Sequence, residues 1–480
     1  MKIFVVIFDT LRKDHTGKIY HNSWIKAPNF DELGKDSIVF ENAYPESLPT
    51  LPVRRSIHTG IRTFPFNHDA PKLRTDDIVE APGWGPIPPD QTHLSEYMNK
   101  KAYITCFITS TYHQFKPNMN YHLGFEEWHI IRGHEYDKYK ARMRGKKSEI
   151  NHFIEKYLVK KTKINRGARQ IHKLLLKKYF SNVQDRKSEE DHFPARTFKR
   201  AIKTIENLKD FRNVFCLIDE FDPHEPWDPP QKYSDLYMDK SYTGNNIIHP
   251  FYSENLNNIS DEELKCLKAN YAGEVSLCDK WFGHFIDKLK DMEIYDDSLI
   301  ILISDHGHSL GEHGATGKIP RFMFPELVDI PLMIKPPGGI NGPKRIRKSY
   351  VYNHDILPTI FGFIGAEKLD IFDGEDLSLF KDADDQKLEN RDYITCGMAL
   401  WTLYKDDHYA LIASNDKKEL KLFDLTTDPN WNENIAVNNT DICNELFEKI
   451  EVDAKGNLLR TFQSDLFMEF KDWYHNTYLI

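Results

Sequence analysis

The chain has 480 residues, with 64 Lys and Arg against 73 Asp and Glu and a formal net charge of −9. This length exceeds what one minimal core needs, so it indicates one large α/β domain or two to three domains. The negative charge argues against a general nucleic-acid-binding surface, and six cysteines without a Cys-x-x-Cys pair argue against zinc knuckles and dense disulfide scaffolds and indicate free thiols.

The first predicted element is the apolar run from Lys2 to Phe8, which ends in front of Asp9. Its β-branched and aromatic residues are typical of a strand buried on both faces. The run is too short for the apolar region of a signal peptide or for a membrane span. We therefore expect no membrane association and a cytoplasmic location.

The next element is a short helix within SLPTLPVRRSIHTG, residues 47–60. Pro52 suits the first turn of a helix, because the N–H that proline lacks is not needed there. Thr50 would then lie at the helix mouth, where backbone N–H groups and the helix dipole favour an anion. Two interpretations stay open at this point: Thr50 is an ordinary N-cap, or its hydroxyl is a nucleophile held beside Arg54.

Further apolar runs alternate with helical patterns along the chain, which predicts a mostly parallel sheet with helices on both faces. These runs are 103–108, 214–218, 299–303 and 330–334. A basic, helical stretch from about 129 to 213 is interpreted as a solvated insertion, with a phosphate-seeking surface as the alternative. Short strand patterns after about residue 370 predict a small C-terminal α+β subdomain.

Metal-binding side chains follow two of these runs. Asp9 ends the first run, and Asp305 and His306 follow the run 299–303. Functional groups gather beyond the carboxyl ends of strands in open parallel sheets, and carboxylates with an imidazole suit Mn, Zn or a similar divalent ion. A single aspartate there would be a turn residue, but two with a histidine favour a metal site.

Two loops carry further candidates. SDHGHSLGEHGATGK, residues 304–318, contains His313 and Lys318 among four glycines; the alternative is a polar surface loop. FDPHEPW, residues 221–227, holds His224 between two prolines, which suits a positioned proton donor.

Six segments resemble segments of the sulfatase family of the alkaline-phosphatase superfamily, and they occur along the chain in the same order as in that family. Thr50, Pro52 and Arg54 with Thr59-Gly60 fall on the family signature Cys or Ser, any residue, Pro, any residue, Arg, ending in Thr-Gly. The other matching segments are 28–44, 121–128, 304–314, 354–366 and 422–436. The resemblance covers most of the chain. It implies an alkaline-phosphatase-like α/β fold, in which helices sandwich a mixed, mainly parallel sheet, with a catalytic domain at 1–370 and a C-terminal subdomain at 371–480.

Carried over by position, the resemblance implies that Asp9, Asp305, His306 and Thr50 bind one divalent ion: Mn, Zn, Ca or Mg. It also implies that Thr50 presents the nucleophilic oxygen. The expected contacts to the ester oxygens and the leaving group come from Arg54, His224, His313 and Lys318. Asp219, Asp222 and His308 are further candidate ligands for a second ion, but their spacing does not by itself predict one.

The departures from the family pattern bear on the substrate. Thr10 follows Asp9 where sulfatases have a second aspartate, and Thr109-Ser110 stands where many have Gly-Lys. In these details the chain resembles the phosphonate monoester hydrolase and phosphodiesterase branch. Threonine cannot become the formylglycine that a sulfatase makes from its cysteine, so no formylglycine is expected.

The predicted function is therefore a metal-dependent hydrolase of phosphate or phosphonate esters, acting on a small anionic ester. The alternatives are a sulfate-ester hydrolase without formylglycine, a phospho-group transferase, and a binding pseudoenzyme. No nucleic-acid or membrane partner is expected, and a homo-oligomer is allowed.

Overall fold

The computed structural model describes residues 1–66, 81–160, 166–340, 342–389 and 391–461. The strands are, in chain order, β1 (Lys2–Phe8), β2 (Ile38–Phe40), β3 (Ala43–Tyr44), β4 (Ile104–Thr109), β5 (Glu127–Ile130), β6 (Val214–Glu220), β7 (Leu299–Ser304), β8 (Ser309–Leu310), β9 (Thr316–Gly317), β10 (Leu332–Lys335), β11 (Lys344–Ile346), β12 (Val351–Tyr352), β13 (Ile394–Met398), β14 (Trp401–Lys405), β15 (Tyr409–Ser414) and β16 (Leu420–Asp424). The α-helices are α1 (Pro28–Lys35), α2 (Thr50–Thr59), α3 (Leu94–Lys100), α4 (Lys147–Glu155), α5 (Arg166–Val183), α6 (Phe193–Asn207), α7 (Gln231–Ser234), α8 (Asp261–Asp291), α9 (Pro325–Val328), α10 (Ile356–Phe363) and α11 (Thr440–Asp453).

Eight strands form the central sheet, in the order β11-β2-β10-β7-β1-β6-β4-β5. The run from β7 to β5 is parallel throughout. Strand β10 is antiparallel to both of its neighbours, β7 and β2. The predicted mixed, mainly parallel sheet is therefore confirmed.

Both faces of this sheet are covered by helices. Successive side chains of a strand point to opposite faces, so each central strand contributes to two cores. Phe4, Val6 and Phe8 of β1 join a core with residues of α1, α6 and α8. Its alternate residues, Ile3, Val5 and Ile7, join a second core with residues of α2, α3 and α10. Burying one such large side chain stabilises the fold by about 1.5 to 3 kcal/mol, which explains why the strand is apolar along its whole length.

The C-terminal part contains an antiparallel sheet, β13-β14-β15-β16, with α11 packed on it. Leu446, Phe447 and Ile450 of the helix meet Tyr404 and Leu411 of the sheet. The predicted C-terminal antiparallel subdomain is confirmed. Its boundary near residue 370 stays a prediction, and residues 462–480 of that prediction lie outside the described residues.

The predicted insertion, 129–213, contains α4, α5 and α6. Helices α4 and α5 share a small core of their own, made of Ile154, Leu158, Leu176, Tyr179 and Phe180 with neighbours. Helix α6 instead joins the main core beside the central sheet. The part that projects from the sheet domain is thus the α4–α5 pair with its loops.

All six cysteines are buried free thiols, as the sequence predicts. Within the described ranges, no helix has the combination of length and apolar character that crossing a membrane requires.

Candidate active site

Three polar residues follow neighbouring strands at one edge of the central sheet. Asp9 comes directly after β1, and Asp305 and His306 come directly after β7. The register of these strands pairs Phe8 with Ser304, so the residues that follow are brought side by side. The backbone N–H of His306 donates to Asp305 Oδ1 at 2.7 Å, which fixes that carboxylate. Strand pairing thus assembles this group before any ligand is present.

Asp9, Asp305 and His306 fit a divalent metal ion. Each offers a ligand atom within 4.8 Å of the others, all three are fully buried, and no other such group of three converges in the described part of the chain. Neither carboxylate oxygen of Asp9 has a hydrogen-bond partner there. Arg54 Nη1 lies 3.0 Å from Asp9 Oδ2, but this one guanidinium also serves Asp219 and Asp305, so the Asp9 oxygens without hydrogen bonds support a metal ion as a further compensating cation.

The electrostatics of this group agree with a metal ligand set. His306 Nδ1 lies 2.8 Å from the Gly307 carbonyl oxygen and donates to it, which leaves the Nε2 lone pair facing Asp305 Oδ2 at 3.5 Å. Burial lowers the pKa of His306 to about 4, so the imidazole is neutral near pH 7. Burial and the Asp305 carboxylate raise the pKa of Asp9 well above the ordinary aspartate range.

Thr50 is the first residue of α2, and its side chain lies beside the candidate metal group. Pro49 holds the N-cap position in an extended conformation, so the N-cap interpretation of Thr50 is wrong. The Thr50 Oγ1 atom lies 3.4 Å from His306 Nε2. The helix ends at Gly60 with φ of 70°, a left-handed conformation that glycine adopts without strain.

Arg54 lies one turn after Thr50 and is completely buried. Its Nε and Nη2 atoms donate to the two Asp219 oxygens at 2.8 Å each. Its Nη1 atom donates to Asp305 Oδ2 at 2.5 Å and lies 3.0 Å from Asp9 Oδ2. The guanidinium thus contacts three buried carboxylates and compensates part of their negative charge.

Asp219 and Asp222, considered as ligands for a second ion, have other partners. Both Asp219 oxygens accept from Arg54, and they accept further bonds from Thr111 Oγ1 at 3.0 Å and Gln114 Nε2 at 2.6 Å. Asp222 Oδ1 lies 2.5 Å from Nε2 of His134. The contacts of these two residues therefore do not favour a second ion.

Lys318 and His224 form a second cluster. Lys318 Nζ lies 2.9 Å from His224 Nε2 and donates to Glu225 Oε2 at 3.1 Å. His308 Nε2 lies 3.5 Å from the same Glu225 oxygen, and the Tyr252 hydroxyl donates to the other oxygen. Burial lowers the pKa of His224 well below the ordinary histidine range, so the imidazole is neutral and its Nε2 atom accepts a hydrogen bond from the Lys318 ammonium.

The Lys318 ammonium lowers the pKa of both Asp9 and His306, so the two clusters lie within electrostatic reach of each other. The sequence did not single out Glu225, although it lies next to His224 between the same prolines. The apolar pattern also predicted that the strand ends at Ile218, so the role of Asp219 as the partner of Arg54 was not predicted.

His313 lies apart from these contacts. Its Nδ1 atom is 3.0 Å from Glu326 Oε1, its Nε2 atom is 2.9 Å from the Asn430 carbonyl oxygen, and its ring stacks on Phe324 at 3.9 Å. Burial disfavours the imidazolium, but the Glu326 carboxylate outweighs it and raises the pKa of His313. The predicted catalytic role of His313 stays a prediction, and its observed contacts link the loop to the C-terminal part.

Two protein-family models match the chain. The model described as Sulfatase matches residues 2–366. The model described as N-sulphoglucosamine sulphohydrolase, C-terminal, matches residues 311–455.

Individual relatives are distant in sequence. The chain is 23% identical to iduronate 2-sulfatase of Mus musculus over 359 residues, which is 70% of this chain and 60% of that protein. It is 25% identical to an arylsulfatase of Clostridium perfringens over 460 residues, covering 89% and 88% of the two chains. The phosphonate monoester hydrolase of Agrobacterium radiobacter superposes with a TM-score of 0.70 at 16% identity, covering 95% and 96%. This last likeness establishes the alkaline-phosphatase-like fold.

Proposed function

The chain belongs to the sulfatase family of the alkaline-phosphatase superfamily, and we propose that it hydrolyses phosphate or phosphonate esters with Thr50 as the nucleophile and one divalent metal ion. The observation that carries this proposal is the 3.4 Å separation between Thr50 Oγ1 and His306 Nε2 at the mouth of α2. A threonine hydroxyl stands where the family signature has the residue that becomes formylglycine. It has no aldehyde route for releasing sulfate, so its ester must be cleared by attack on the central atom.

Asp9, Asp305 and His306 would bind the ion, with the Thr50 hydroxyl beside them. When bound, a divalent ion acidifies a hydroxyl and stabilises negative charge on the transferring group. Arg54 adds a fixed positive charge one helical turn after Thr50, where its Nη1 atom donates to the Thr50 carbonyl oxygen at 3.2 Å, and its three carboxylate partners hold it in place. Charge stabilisation of this kind is the largest contribution to most phosphoryl-transfer reactions.

Lys318 and His224 supply the proton for the leaving group. The Lys318 ammonium donates a hydrogen bond to the neutral His224 imidazole across 2.9 Å, and Glu225 orients the ammonium. The Thr50 hydroxyl loses its proton to solvent, and its oxygen attacks phosphorus as the bond to the leaving oxygen breaks and Lys318 protonates that oxygen. Water then attacks the same phosphorus in line and gives one proton to the Lys318 amine. The Thr50–phosphorus bond breaks, and the Thr50 oxygen takes up a proton from solvent.

Sulfate-ester hydrolysis without formylglycine is the second candidate. It is favoured by the names of the relatives, an iduronate 2-sulfatase and an arylsulfatase among them. Against it stands the threonine at position 50, because a sulfate ester of Thr50 has no aldehyde route of release and could be cleared only by attack on sulfur.

The experiment is a screen of matched aryl phosphate monoesters, diesters, phosphonates and sulfates with Mn, Zn, Ca and Mg. Thr50→Ala is the blank, and Thr50→Ser, made in a host without a formylglycine-generating enzyme, is the matched control that keeps a hydroxyl. We expect a phosphorus ester to be turned over fastest, with loss of several orders of magnitude in Thr50→Ala and retention in Thr50→Ser. A preference for the sulfate ester would favour the second candidate.

A further inference from the structure

Residues 248–253 form a strap that joins two loops of the active site. At one end, the backbone N–H of Trp227 in the FDPHEPW loop donates to the Ile248 carbonyl oxygen at 2.6 Å. At the other end, Ser253 and Thr316 of β9 exchange two backbone hydrogen bonds of 2.9 Å each. The strap therefore fixes the FDPHEPW loop against strand β9.

Tyr252 is the strap residue that reaches the acid pair, Lys318 and His224. Its hydroxyl donates to Glu225 Oε1, and its ring centre lies 5.5 Å from Lys318 Nζ. Glu225 is 1% exposed, and Lys318 Nζ donates to its Oε1 and Oε2 atoms at 3.2 Å and 3.1 Å. Tyr252 thus acts on the ammonium directly, through its ring, and indirectly, through the carboxylate that it holds.

Glu225 is the carboxylate that compensates the charge of Lys318. Lys318 is 6% exposed, and in the part of the chain that the structure describes it forms an ion pair with Glu225 alone. A buried ammonium has lost most of its hydration, so it depends on a partner of opposite charge. The His224 imidazole, 2.9 Å away, accepts a hydrogen bond but is neutral. The Glu225 carboxylate, which the Tyr252 hydroxyl helps to orient, therefore decides where the proton donor lies.

Helix α5 of the basic insertion packs on the strap. Ile248 belongs to the small core that α4 and α5 share. The His172 ring of α5 packs against the rings of His249 at 4.8 Å and Phe251 at 4.1 Å. Neither ring nitrogen of His172 has a hydrogen-bond partner among the described residues, so the shape of the ring and not its polarity makes this contact. The insertion thus supports the strap at three positions.

We propose that Tyr252 and Glu225 are positioning residues for the Lys318 ammonium, and that helix α5 holds them in place through the strap. During the first displacement a Lys318 N–H bond breaks and an O–H bond forms on the leaving oxygen, and the amine regains a proton from water in the second. A proton donor acts only within hydrogen-bond reach of the atom that it protonates, so its anchoring affects the rate. The role of the ammonium in the reaction rests on the proposed function, whereas its anchoring does not.

The anchoring is tested by chemical labelling of Lys318 without substrate. Acetic anhydride acetylates neutral amines, so an ammonium held by a carboxylate reacts slowly, and digestion with mass spectrometry gives the rate relative to the exposed Lys26. In Glu225→Gln we expect labelling of Lys318 to be faster by about tenfold, because the compensating charge is lost. In Tyr252→Phe and His172→Ala we expect it to be faster by about threefold, because the carboxylate stays but is held less firmly.

Two matched controls separate positioning from general damage. His172→Phe keeps a ring in place without the two unpaired nitrogens, so it should label like wild type. Tyr242→Phe removes another tyrosine hydroxyl of the same region, which donates to the Asn245 carbonyl oxygen at 2.5 Å, and it should also label like wild type.

Unchanged labelling of Lys318 in Glu225→Gln and Tyr252→Phe would overturn the proposal. Equal acceleration in His172→Ala and His172→Phe would overturn the part that concerns α5. Thermal unfolding checks each variant, and Tyr252→Phe, which removes a single oxygen atom, decides the question if Glu225→Gln does not fold.

The effect on the reaction is measured with two leaving groups in the metal-loaded enzyme. Protonation matters most for a poor leaving group, so the phenyl ester should lose more activity than the para-nitrophenyl ester. In Glu225→Gln the ratio of the two kcat values should change by about tenfold at similar KM, and in Tyr252→Phe by less. An equal loss with both esters would show structural damage and contradict the positioning role. If the wild type hydrolysed no ester, the proposed function would fail, and the labelling rates would still decide the anchoring of Lys318.

Discussion

The active-site edge of the sheet and a groove between α4 and α5 both concentrate charge, but they compensate it in opposite ways. This α4–α5 groove is lined by six cations, Lys140, Arg142, Arg144, Lys147, Lys177 and Lys178. At the sheet edge, Asp9, Asp219 and Asp305 are fully buried and share one buried guanidinium, Arg54. In the groove, cations outnumber carboxylates and face solvent. Buried charges must be compensated within the fold, whereas exposed charges are compensated by water and salt. The first region therefore depends on its partners for stability, and the second is available for a ligand.

The largest expected effect in this comparison comes from removing the shared cation. Arg54→Ala should lower the free energy of unfolding by about 3 to 5 kcal/mol, because three buried carboxylates lose their partner. Chemical unfolding of the metal-free protein measures this change. Arg54→Lys is the control; it restores one charge without the two-pronged contact to Asp219 and should recover only part of the loss. A variant with wild-type stability would show that the carboxylates do not depend on Arg54.

Metal binding should give the next largest effect. At a concentration one hundred times its Kd, the fitting ion should stabilise the wild type by about 2.7 kcal/mol, and a chelator should remove both this gain and the activity. Asp9→Asn should lose the gain. Without metal this variant should be about as stable as wild type, because burial and the Asp305 carboxylate disfavour the Asp9 carboxylate, and removing it offsets the lost contact with Arg54. Thermal unfolding with and without metal separates these cases, and an undiminished metal effect in Asp9→Asn would refute the ligand assignment.

His313 lies between the two extremes, since it is partly buried and paired with one carboxylate. Its pKa is raised above the ordinary 6.5, so its ion pair with Glu326 contributes fully below about pH 6.5 and is lost as pH rises through the raised value. His313→Gln should cost roughly 1 kcal/mol at pH 6 and less at pH 9. Unfolding free energies at the two pH values measure this difference. A fall in kcat of more than a hundredfold with unchanged stability would instead support the catalytic role.

The smallest effect on stability should come from the groove. Reversing Arg142, Arg144 and Lys147 together should change the free energy of unfolding by less than about 1 kcal/mol, because exposed charges contribute little individually. Denaturant titration of this triple variant, run in parallel with the Arg54 variants, compares the changes in unfolding free energy. A loss as large as that of Arg54→Ala would mean that the groove cations are structural.

The two regions also differ in how far the sequence predicts them. Apolar runs predict buried strands, and Asp9, Asp305 and His306 come immediately after two of these runs. The sequence therefore predicted that these three residues lie together at the ends of β1 and β7. Their proximity depends only on strand pairing. The partner of Arg54 was missed, because Asp219 lies inside a strand that continues past its apolar run to Glu220.

Side-chain direction accounts for the remaining differences. His313 and Lys318 are close in sequence, yet a left-handed turn at His313, with φ of 50°, accompanies its contacts with Glu326 and Asn430. The groove depends on hydrogen bonds from Asn182 and Gln184 to a distant loop. No periodic pattern encodes such contacts, so composition predicted a basic helical stretch but not its shape.

The most direct test of the central claim is to trap the nucleophile. Wild-type protein with its metal is mixed with an aryl phosphate ester, quenched in acid within one turnover, digested and analysed by mass spectrometry. We predict a phosphorylated peptide whose modification maps to Thr50 and which Thr50→Ala does not form. Substrate turnover by a protein that carries no adduct on Thr50 at any quench time, together with full activity of Thr50→Ala, would contradict the account.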